Sequence, residues 1–281
     1  MKFAVIGGDR RQRVLCGLLA EDGHTVSAYG LDNDTAATLT EAVRGAEYVI
    51  LPLPAESGTG RINTPLCDRI VTTDEVFAVL TPAQTVLAGK VEPTLVETAR
   101  QAGVTVYDYF RREEFTVMNA AATAEGAVQV IMANTDRTLA GARCLVIGFG
   151  RIGKLLCRKL HALGAVVTAS ARKPADLAWI NACGYSSADT RALEGVLGGC
   201  NVIVNTVPST VLDDSLLSYV NQSCFCLDLS SPPYGIDLDA AGRIGINAQR
   251  APGLPGRASP LSAAGYVRDT VYNIIKEREN P

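Results

Sequence analysis

The stretch Gly148-Phe149-Gly150-Arg151-Ile152-Gly153 constrains this chain more than any other. Apolar Cys144–Ile147 precedes it with the length of a strand, and Leu156 and Leu160 follow it at helical spacing. Gly-x-Gly-x-x-Gly is common by itself, but between a strand and a helix each glycine has a task. The first allows the tight turn, the second lets a pyrophosphate reach the backbone, and the third lets helix and strand pack closely. The helix N-terminus adds N–H donors and a dipole that favours phosphate. The expectation is a dinucleotide-binding unit from about residue 143 to 208, with Gly148, Gly150, Arg151, Ile152 and Gly153 around the phosphates.

The second strand of that unit, Val166–Ser170, runs into Ala171-Arg172-Lys173. A site for NAD usually places a carboxylate there for the ribose 2′-hydroxyl, and none occurs before Asp176. A hydroxyl followed by two cations suits a 2′-phosphate, so Ser170, Arg172 and Lys173 point to NADP. The plainer alternative is a solvated start to the next helix. Ligands of open parallel sheets bind at the carboxyl ends of strands. That rule adds Thr206, Val207 and Pro208 after one strand, Asp228 and Leu229 after the next, and Pro252 and Gly253 in the loop before the last helix.

Strand-sized apolar runs alternate with helical patterns along the whole chain, the mark of parallel α/β sheets. In the first half they are Phe3–Ile6, Thr25–Tyr29, Tyr48–Leu51, Thr85–Leu87 and Val104–Asp108. In the second they are Cys144–Ile147, Val166–Ser170, Val202–Asn205, Phe225–Asp228 and Arg243–Ile246. Aligning Val5 with Val146 without gaps also matches Gly7 with Gly148, Arg10 with Arg151, Leu15 with Leu156, Leu19 with Leu160 and Gly23 with Gly164. The expected fold is α/β, two tandem Rossmann-type domains with parallel sheets. An alanine-rich helix over Thr116–Asn134 joins them, and a C-terminal helix packs back on the first domain. The expected bounds are residues 1–118 with the helix 259–281, and residues 119–258.

Composition narrows the function classes. A net charge of −3 gives no global case for nucleic acid or membrane surfaces. No apolar run approaches the ~20 residues of a membrane span, and the start of the chain lacks a cleavage pattern. The eight cysteines form no Cys-x-x-Cys and no metal-ligand spacing, so reduced cysteines in a cytoplasmic protein and no metal are expected.

The first-domain counterpart of the glycine loop reads Gly7-Gly8-Asp9-Arg10-Arg11-Gln12. Asp9 stands at the second glycine and Gln12 at the third, so this copy is not expected to hold a dinucleotide. Asp9, Arg10, Arg11 and Gln12 suit a small anionic substrate instead, because guanidinium pairs bidentately with carboxylate. Ser57 and Thr59, within Ser57-Gly58-Thr59-Gly60, follow another strand, and Arg111 and Arg112 a further one. Asn119 and Thr123 share a helix face, and Glu125 beside them is the candidate general base. His24 and His161 lie outside strand-end loops, which makes a histidine proton shuttle unexpected.

Taken in order, these motifs resemble a known family, the A subunits of dipicolinate synthase from spore-forming bacteria. The resemblance rests on Ile6–Asp9 with Arg11-Gln12, Ser57–Gly60, Phe110–Glu113, Asn119 and Thr123–Gly126. It continues through Gly148–Gly153, Ser170–Arg172, Asn205–Ser209, Asp228-Leu229, Ser231 and Ala251–Gly256. It implies NADP-dependent oxidation of dihydrodipicolinate, or its hydroxytetrahydro precursor from the lysine pathway, to pyridine-2,6-dicarboxylate. It also implies a flavoprotein-like B subunit of dipicolinate synthase as partner, and a place in the mother-cell cytoplasm during sporulation. One departure is Pro232, where some relatives carry an arginine; Arg111 or Arg112 is then expected to substitute. Two alternatives stand beside this reading: another two-domain NADP dehydrogenase of amino or hydroxy acids, and a cofactor-binding regulatory subunit.

Overall fold

A computed structural model describes residues 1–279; Asn280 and Pro281, the end of the expected C-terminal helix, lie outside the described residues. The chain divides into two compact units, Met1–Asn119 with the chain from Pro255 onward, and Ala120–Leu254.

Unit 1 runs β1 (Lys2–Ile6), α1 (Arg10–Glu21), β2 (Thr25–Tyr29), α2 (Leu39–Val43), β3 (Tyr48–Ile50), α3 (Thr73–Ala78), β4 (Thr85–Ala88), α4 (Pro93–Gln101) and β5 (Thr105–Asp108). Its five parallel strands lie in the order β2-β1-β3-β4-β5, a doubly wound arrangement of the flavodoxin-like kind. A short 3-10 turn, Tyr109–Arg111, leads into α5 (Glu113–Ala133), which passes from the first unit to the second.

Unit 2 continues with β6 (Arg143–Ile147), α6 (Arg151–Ala162), β7 (Val166–Ala171), α7 (Pro174–Ala182), β8 (Ser186–Asp189), α8 (Glu194–Leu197) and β9 (Val202–Asn205). Then come α9 (Asp214–Leu217), β10 (Phe225–Asp228), α10 (Leu238–Arg243) and β11 (Asn247–Arg250); the chain returns to unit 1 through α11 (Leu254–Ala258) and α12 (Pro260–Glu279). The six parallel strands lie in the order β11-β10-β9-β6-β7-β8, the Rossmann order with its switch point between β6 and β9.

The internal repeat has a physical counterpart. Gly23 and Gly164, paired in the gapless alignment, follow α1 and α6 with φ of 83° and 84°. Both end their helix in the left-handed region that glycine enters without a Cβ penalty.

Two edge strands depart from the sequence reading. The expected strand over Arg243–Ile246 is the last residue of α10 and a turn, and β11 begins at Asn247. β8 reads Ser-Ser-Ala-Asp and was not expected. Both lie at sheet edges, where half the strand is solvated and apolar alternation disappears.

Two apolar layers sandwich each sheet. In unit 1 one face packs Phe3, Val5, Ile50 and Leu87 against α1 and α12, through Leu15, Leu19, Val267, Val271 and Ile274. The C-terminal helix thus closes the core of unit 1, with Tyr272 Oη donating to Asp22 at 2.8 Å. In unit 2, Ala124, Ala127 and Ile131 of α5 cover one face of the sheet with Leu156, Cys157 and Leu160 of α6. Burial pushes the thiols of Cys16, Cys144, Cys157 and Cys200 up to about 12, so these act as small apolar side chains. No helix among the described residues is long and apolar enough to cross a membrane.

If α12 is part of the unit 1 core, Ile274→Ala should lower stability by about 2–5 kcal/mol. Urea unfolding followed by circular dichroism reads this, and an unchanged midpoint would show that the helix merely rests on the surface.

Candidate active site

At the carboxyl end of β6 each glycine of the loop meets a different steric demand. Gly148 turns with φ of 97°, and a Cβ there would lie 2.5 Å from Thr206 Oγ1. A Cβ on Gly153 would lie 2.1 Å from the Gly148 carbonyl oxygen, so α6 can descend onto the strand end only with glycine there. A Cβ on Gly150 would meet nothing within 4 Å, which leaves the backbone open to an approaching group. Gly150 is also the N-cap of α6 and brings no side-chain acceptor to the first turn. Steric need at two glycines and open space at the third fit a dinucleotide pyrophosphate. Arg151 and Ile152 form the first turn beside it.

Arg172 and Lys173 are exposed in the turn between β7 and α7, with Lys173 as the N-cap. Ser170 is fully buried, its Oγ accepting from Thr190 Oγ1 at 2.9 Å. Its hydroxyl is therefore engaged inside the sheet, and of the three residues only Arg172 and Lys173 are exposed at the strand end. On the neighbouring strand, the Arg191 guanidinium bonds to Asp189 and pulls its carboxyl down to about 2.

At the other strand ends, Thr206 Oγ1 donates to the Ile147 carbonyl at 2.9 Å, and Val207 is half-buried above Gly148. Pro208, Pro252 and Gly253 are exposed in their loops. Asp228 is buried and accepts from Asn205 Nδ2 (2.9 Å), Ser230 N (3.0 Å), Ser230 Oγ (2.7 Å), Gly235 N (2.8 Å) and Ile236 N (3.0 Å). Its role is to hold the loop that follows Leu229 in shape, which revises its reading as a direct cofactor ligand. Gly235 is required beside it, because a Cβ there would overlap Asn205 Nδ2.

Unit 1 builds the matching corner from the opposite chemistry. Asp9 caps α1, its carboxylate accepting from Arg11 N at 2.9 Å while its own N–H donates to Gln12 Oε1 at 3.2 Å. Gln12 fills the space that a Cβ on Gly8 would need, at 2.4 Å. Gly8 N donates to the Asn63 carbonyl at 2.8 Å, and Ile62 and Thr64 press on Gly7. Side chain and loop together close this helix N-terminus to a dinucleotide.

Of the candidate substrate residues, Arg11 is buried and paired bidentately with Asp9, at 2.9 Å through Nε and 2.8 Å through Nη2. Gly256 lies directly against that pair. Arg10 is exposed, and Gln12 Nε2 is buried with no hydrogen-bond partner among the described residues. Ser57 and Thr59 are exposed on a loop pinned by Glu56, which accepts from Gly60 N at 3.0 Å and Thr73 Oγ1 at 2.7 Å. Arg111 is exposed, with Asp108 at 3.6 Å. Asn119 is half-buried and Thr123 buried on α5.

Two candidates are not brought to a strand end. The Arg112 guanidinium is taken up by Glu277, with two bonds of 2.6 Å, and by Glu114 at 2.8 Å. It ties the start of α5 to α12, so its reading as a substrate anchor is revised. Glu125 is exposed and bonded to Lys159 Nζ at 2.8 Å, in the last turn of α6, opposite in sequence to the glycine loop at that helix's start. A general base needs a lone pair directed at substrate, and this carboxylate is committed to a surface ion pair.

The sequence reading missed two cations at strand ends. Lys90 is exposed just after β4 with φ of 55°, its N–H and that of Val91 donating to Asp108 at 3.0 and 3.1 Å. Arg250 ends β11 and lies 4.1 Å over the Tyr234 ring. The available signal was a cation immediately after a strand. Lys90 belongs to none of the motifs that the sequence analysis singles out, and Arg250 lies beyond the strand expected over Arg243–Ile246. Among the described residues no cluster of His, Cys, Asp or Glu is arranged to hold a metal ion.

A parallel sheet in Rossmann order, an open glycine loop and a second doubly wound unit define a two-domain dehydrogenase of the nicotinamide-dinucleotide type. Residues 99–220 accordingly match the D-isomer specific 2-hydroxyacid dehydrogenase NAD binding domain, and residues 2–110 match the N-terminal domain of the dipicolinate synthase A subunit. The dipicolinate synthase A subunit of Bacillus subtilis (strain 168) is 31% identical over 99% of this chain and 96% of its own. The chain belongs to this family, the A subunits of dipicolinate synthase. The crystal structure of the Bacillus subtilis A chain superposes with a TM-score of 0.86 at 29% identity, covering 100% of this chain and 97% of that one. That of the A subunit from Bacillus halodurans gives 0.85 at 26%, covering 97% of each. The apo-structure of D-lactate dehydrogenase from Escherichia coli shares the fold, with a TM-score of 0.65 at 15% identity, covering 100% of this chain and 98% of that one.

The two glycine positions separate binding from folding. Gly150→Ala should leave the unfolding midpoint unchanged and weaken nicotinamide dinucleotide binding about tenfold or more, as the Cβ enters the phosphate path. Gly153→Ala should lower the midpoint as well. Titration by nucleotide fluorescence beside thermal unfolding tests both, and equal binding by Gly150→Ala and the parent would contradict the loop assignment.

Proposed function

We propose that this chain is the cofactor-binding subunit of a dipicolinate-forming dehydrogenase. With NADP it oxidises dihydrodipicolinate, or the hydroxytetrahydro precursor after loss of water, to pyridine-2,6-dicarboxylate. It acts with the flavoprotein-like B subunit in the mother-cell cytoplasm during sporulation. The observation that carries this reading is the contrast between the two helix N-termini. One is open and lined by glycine, and the other is closed by its own Asp9 and Gln12. One chain then has one dinucleotide site, and unit 1 is left for substrate.

The nicotinamide, when bound, supplies the hydride acceptor. The ring loses a hydride and a proton as it becomes aromatic, giving reduced cofactor, a proton and the pyridine. The chain's residues anchor and orient the dicarboxylate, which lowers the entropy cost of the step. Arg10 and Arg111 offer exposed charge, while Ser57, Thr59 and Asn119 offer polar groups. Gln12 Nε2, buried at the start of α1, is a donor that a carboxylate oxygen there could accept from. Thr123 lies one turn beyond Asn119. No proton-accepting role is proposed for Glu125, and Glu125→Gln should turn over normally.

The test is to incubate the purified chain with NADP and freshly generated dihydrodipicolinate, with and without the flavoprotein-like partner, and to follow dipicolinate by its ultraviolet absorbance. Product that requires the chain, NADP and an intact glycine loop supports the reading. Product only with the partner, unaltered when the glycine loop is disabled, favours a regulatory subunit. Oxidation of simple hydroxy acids instead favours a different dehydrogenase.

Arg172 decides the cofactor. Arg172→Ala should raise the Kd for NADP about tenfold and leave that for NAD unchanged, since only the former carries the 2′-phosphate. An equal change for both would remove Arg172 from that role.

A further inference from the structure

Arg250 ends β11, in register with Asp228 at the end of β10. It therefore stands on the strand-end crest of unit 2, where ligands of such sheets bind. Its guanidinium carbon lies 4.1 Å from the centre of the Tyr234 ring, and Nη2 makes one long bond of 3.4 Å to the Ile236 carbonyl. Among the described residues no carboxylate pairs with it, whereas Arg112, Arg191 and Arg243 each hold one.

The platform under Arg250 is built. Tyr234 is a non-glycine residue at φ of 69°, a conformation that costs energy and persists only where the surroundings impose it. Tyr234 N donates to the Ser231 carbonyl at 3.0 Å, and Asp228 accepts from the N–H groups of Gly235 and Ile236 just beyond it. The ring covers one side of the guanidinium, and only Nη2 is drawn to the protein, by the long bond to Ile236. An arginine without a carboxylate of its own keeps N–H groups with which it can grip one through two parallel bonds.

We propose that Arg250, stacked on Tyr234, is a carboxylate anchor on the cofactor-binding unit. It takes one of the two carboxylates of the substrate. This rests on the reading above that the substrate is a dicarboxylate. Arg250 has no carboxylate partner among the described residues because the ligand is its counter-ion, and the Tyr234 ring holds the guanidinium at the strand end.

Calorimetry with pyridine-2,6-dicarboxylate and pyridine-2-carboxylate, in the presence of saturating NADPH, tests this on the full chain. The variants are Arg250→Gln, Arg250→Lys and Tyr234→Leu. Arg250→Gln should weaken the dicarboxylate about 10- to 100-fold, as for loss of a charge-assisted bidentate pair. Cofactor affinity and the unfolding midpoint should not move. Arg250→Lys should recover part of the loss, since it keeps charge without the fork, and Tyr234→Leu should fall between. Unchanged dicarboxylate affinity in Arg250→Gln overturns the anchor and leaves the proposed function standing. A parallel loss of cofactor affinity or stability also overturns it, by making Arg250 structural. If the parent chain ignores pyridine dicarboxylate but binds another carboxylate in an Arg250-dependent way, the anchor stands and the substrate assignment falls. Binding of no carboxylate at all overturns both.

Discussion

The approach of Gly153 to the carbonyl of Gly148 is the contact on which unit 2 depends. A single added carbon at 2.1 Å from that oxygen would lift α6 off the end of β6. With glycine there, the helix N-terminus comes down onto the crest of the sheet, at the switch point where the strand order reverses. Gly150 can then cap the helix without a side chain, and the phosphate path stays open. Unit 1 has the same strand–turn–helix in the same register, yet Gln12 stands at the equivalent of Gly153 and Asp9 at that of Gly150. The helix is still satisfied, but by its own side chains, with Arg11 neutralising the cap. One backbone design thus gives an open helix N-terminus when its corner is empty and a sealed one when it is filled.

A second device recurs in both units. A strand-end aspartate spends its carboxylate on backbone N–H groups and so shapes the loops around it. Asp108 holds Lys90, Val91 and Phe110, and Asp228 holds Ser230, Gly235 and Ile236. Hydrogen bonds to an ionised acceptor are the strong ones, and several on one carboxylate over-determine a loop. Each aspartate has a non-glycine residue at positive φ nearby, Lys90 in one unit and Tyr234 in the other. These aspartates act on the crest through the residues they place.

Much of the fold was legible because it depends on local periodicity. Nine of the eleven strands among the described residues sit in apolar runs that any window finds, and the repeat of Gly7, Leu15, Leu19 and Gly23 at Gly148, Leu156, Leu160 and Gly164 is visible as letters. The two strands that were missed or misplaced, β8 and β11, are polar edge strands whose identity depends on a neighbour rather than on their own pattern. The candidate site was less legible. Exposed Arg172 and buried Ser170 are two residues apart and equally polar, and only the packing of Thr190 tells them apart. Arg112 and Arg250 look alike in the sequence, yet one is committed to Glu277 and the other stands over a tyrosine.

The sequence by itself determined the class of fold, the position of the glycine loop after β6 and the loss of its second and third glycines in the first half. These follow from which residues lack a Cβ and where apolar side chains recur, and both properties are written in the chain. Tertiary structure alone decided which polar groups remain for a ligand. An arginine or aspartate is available only if no partner from a distant segment has reached it first. The partners that claimed Arg112, Glu125 and Asp228 come from α12, α6 and the loop before α10, and folding brought each of them there.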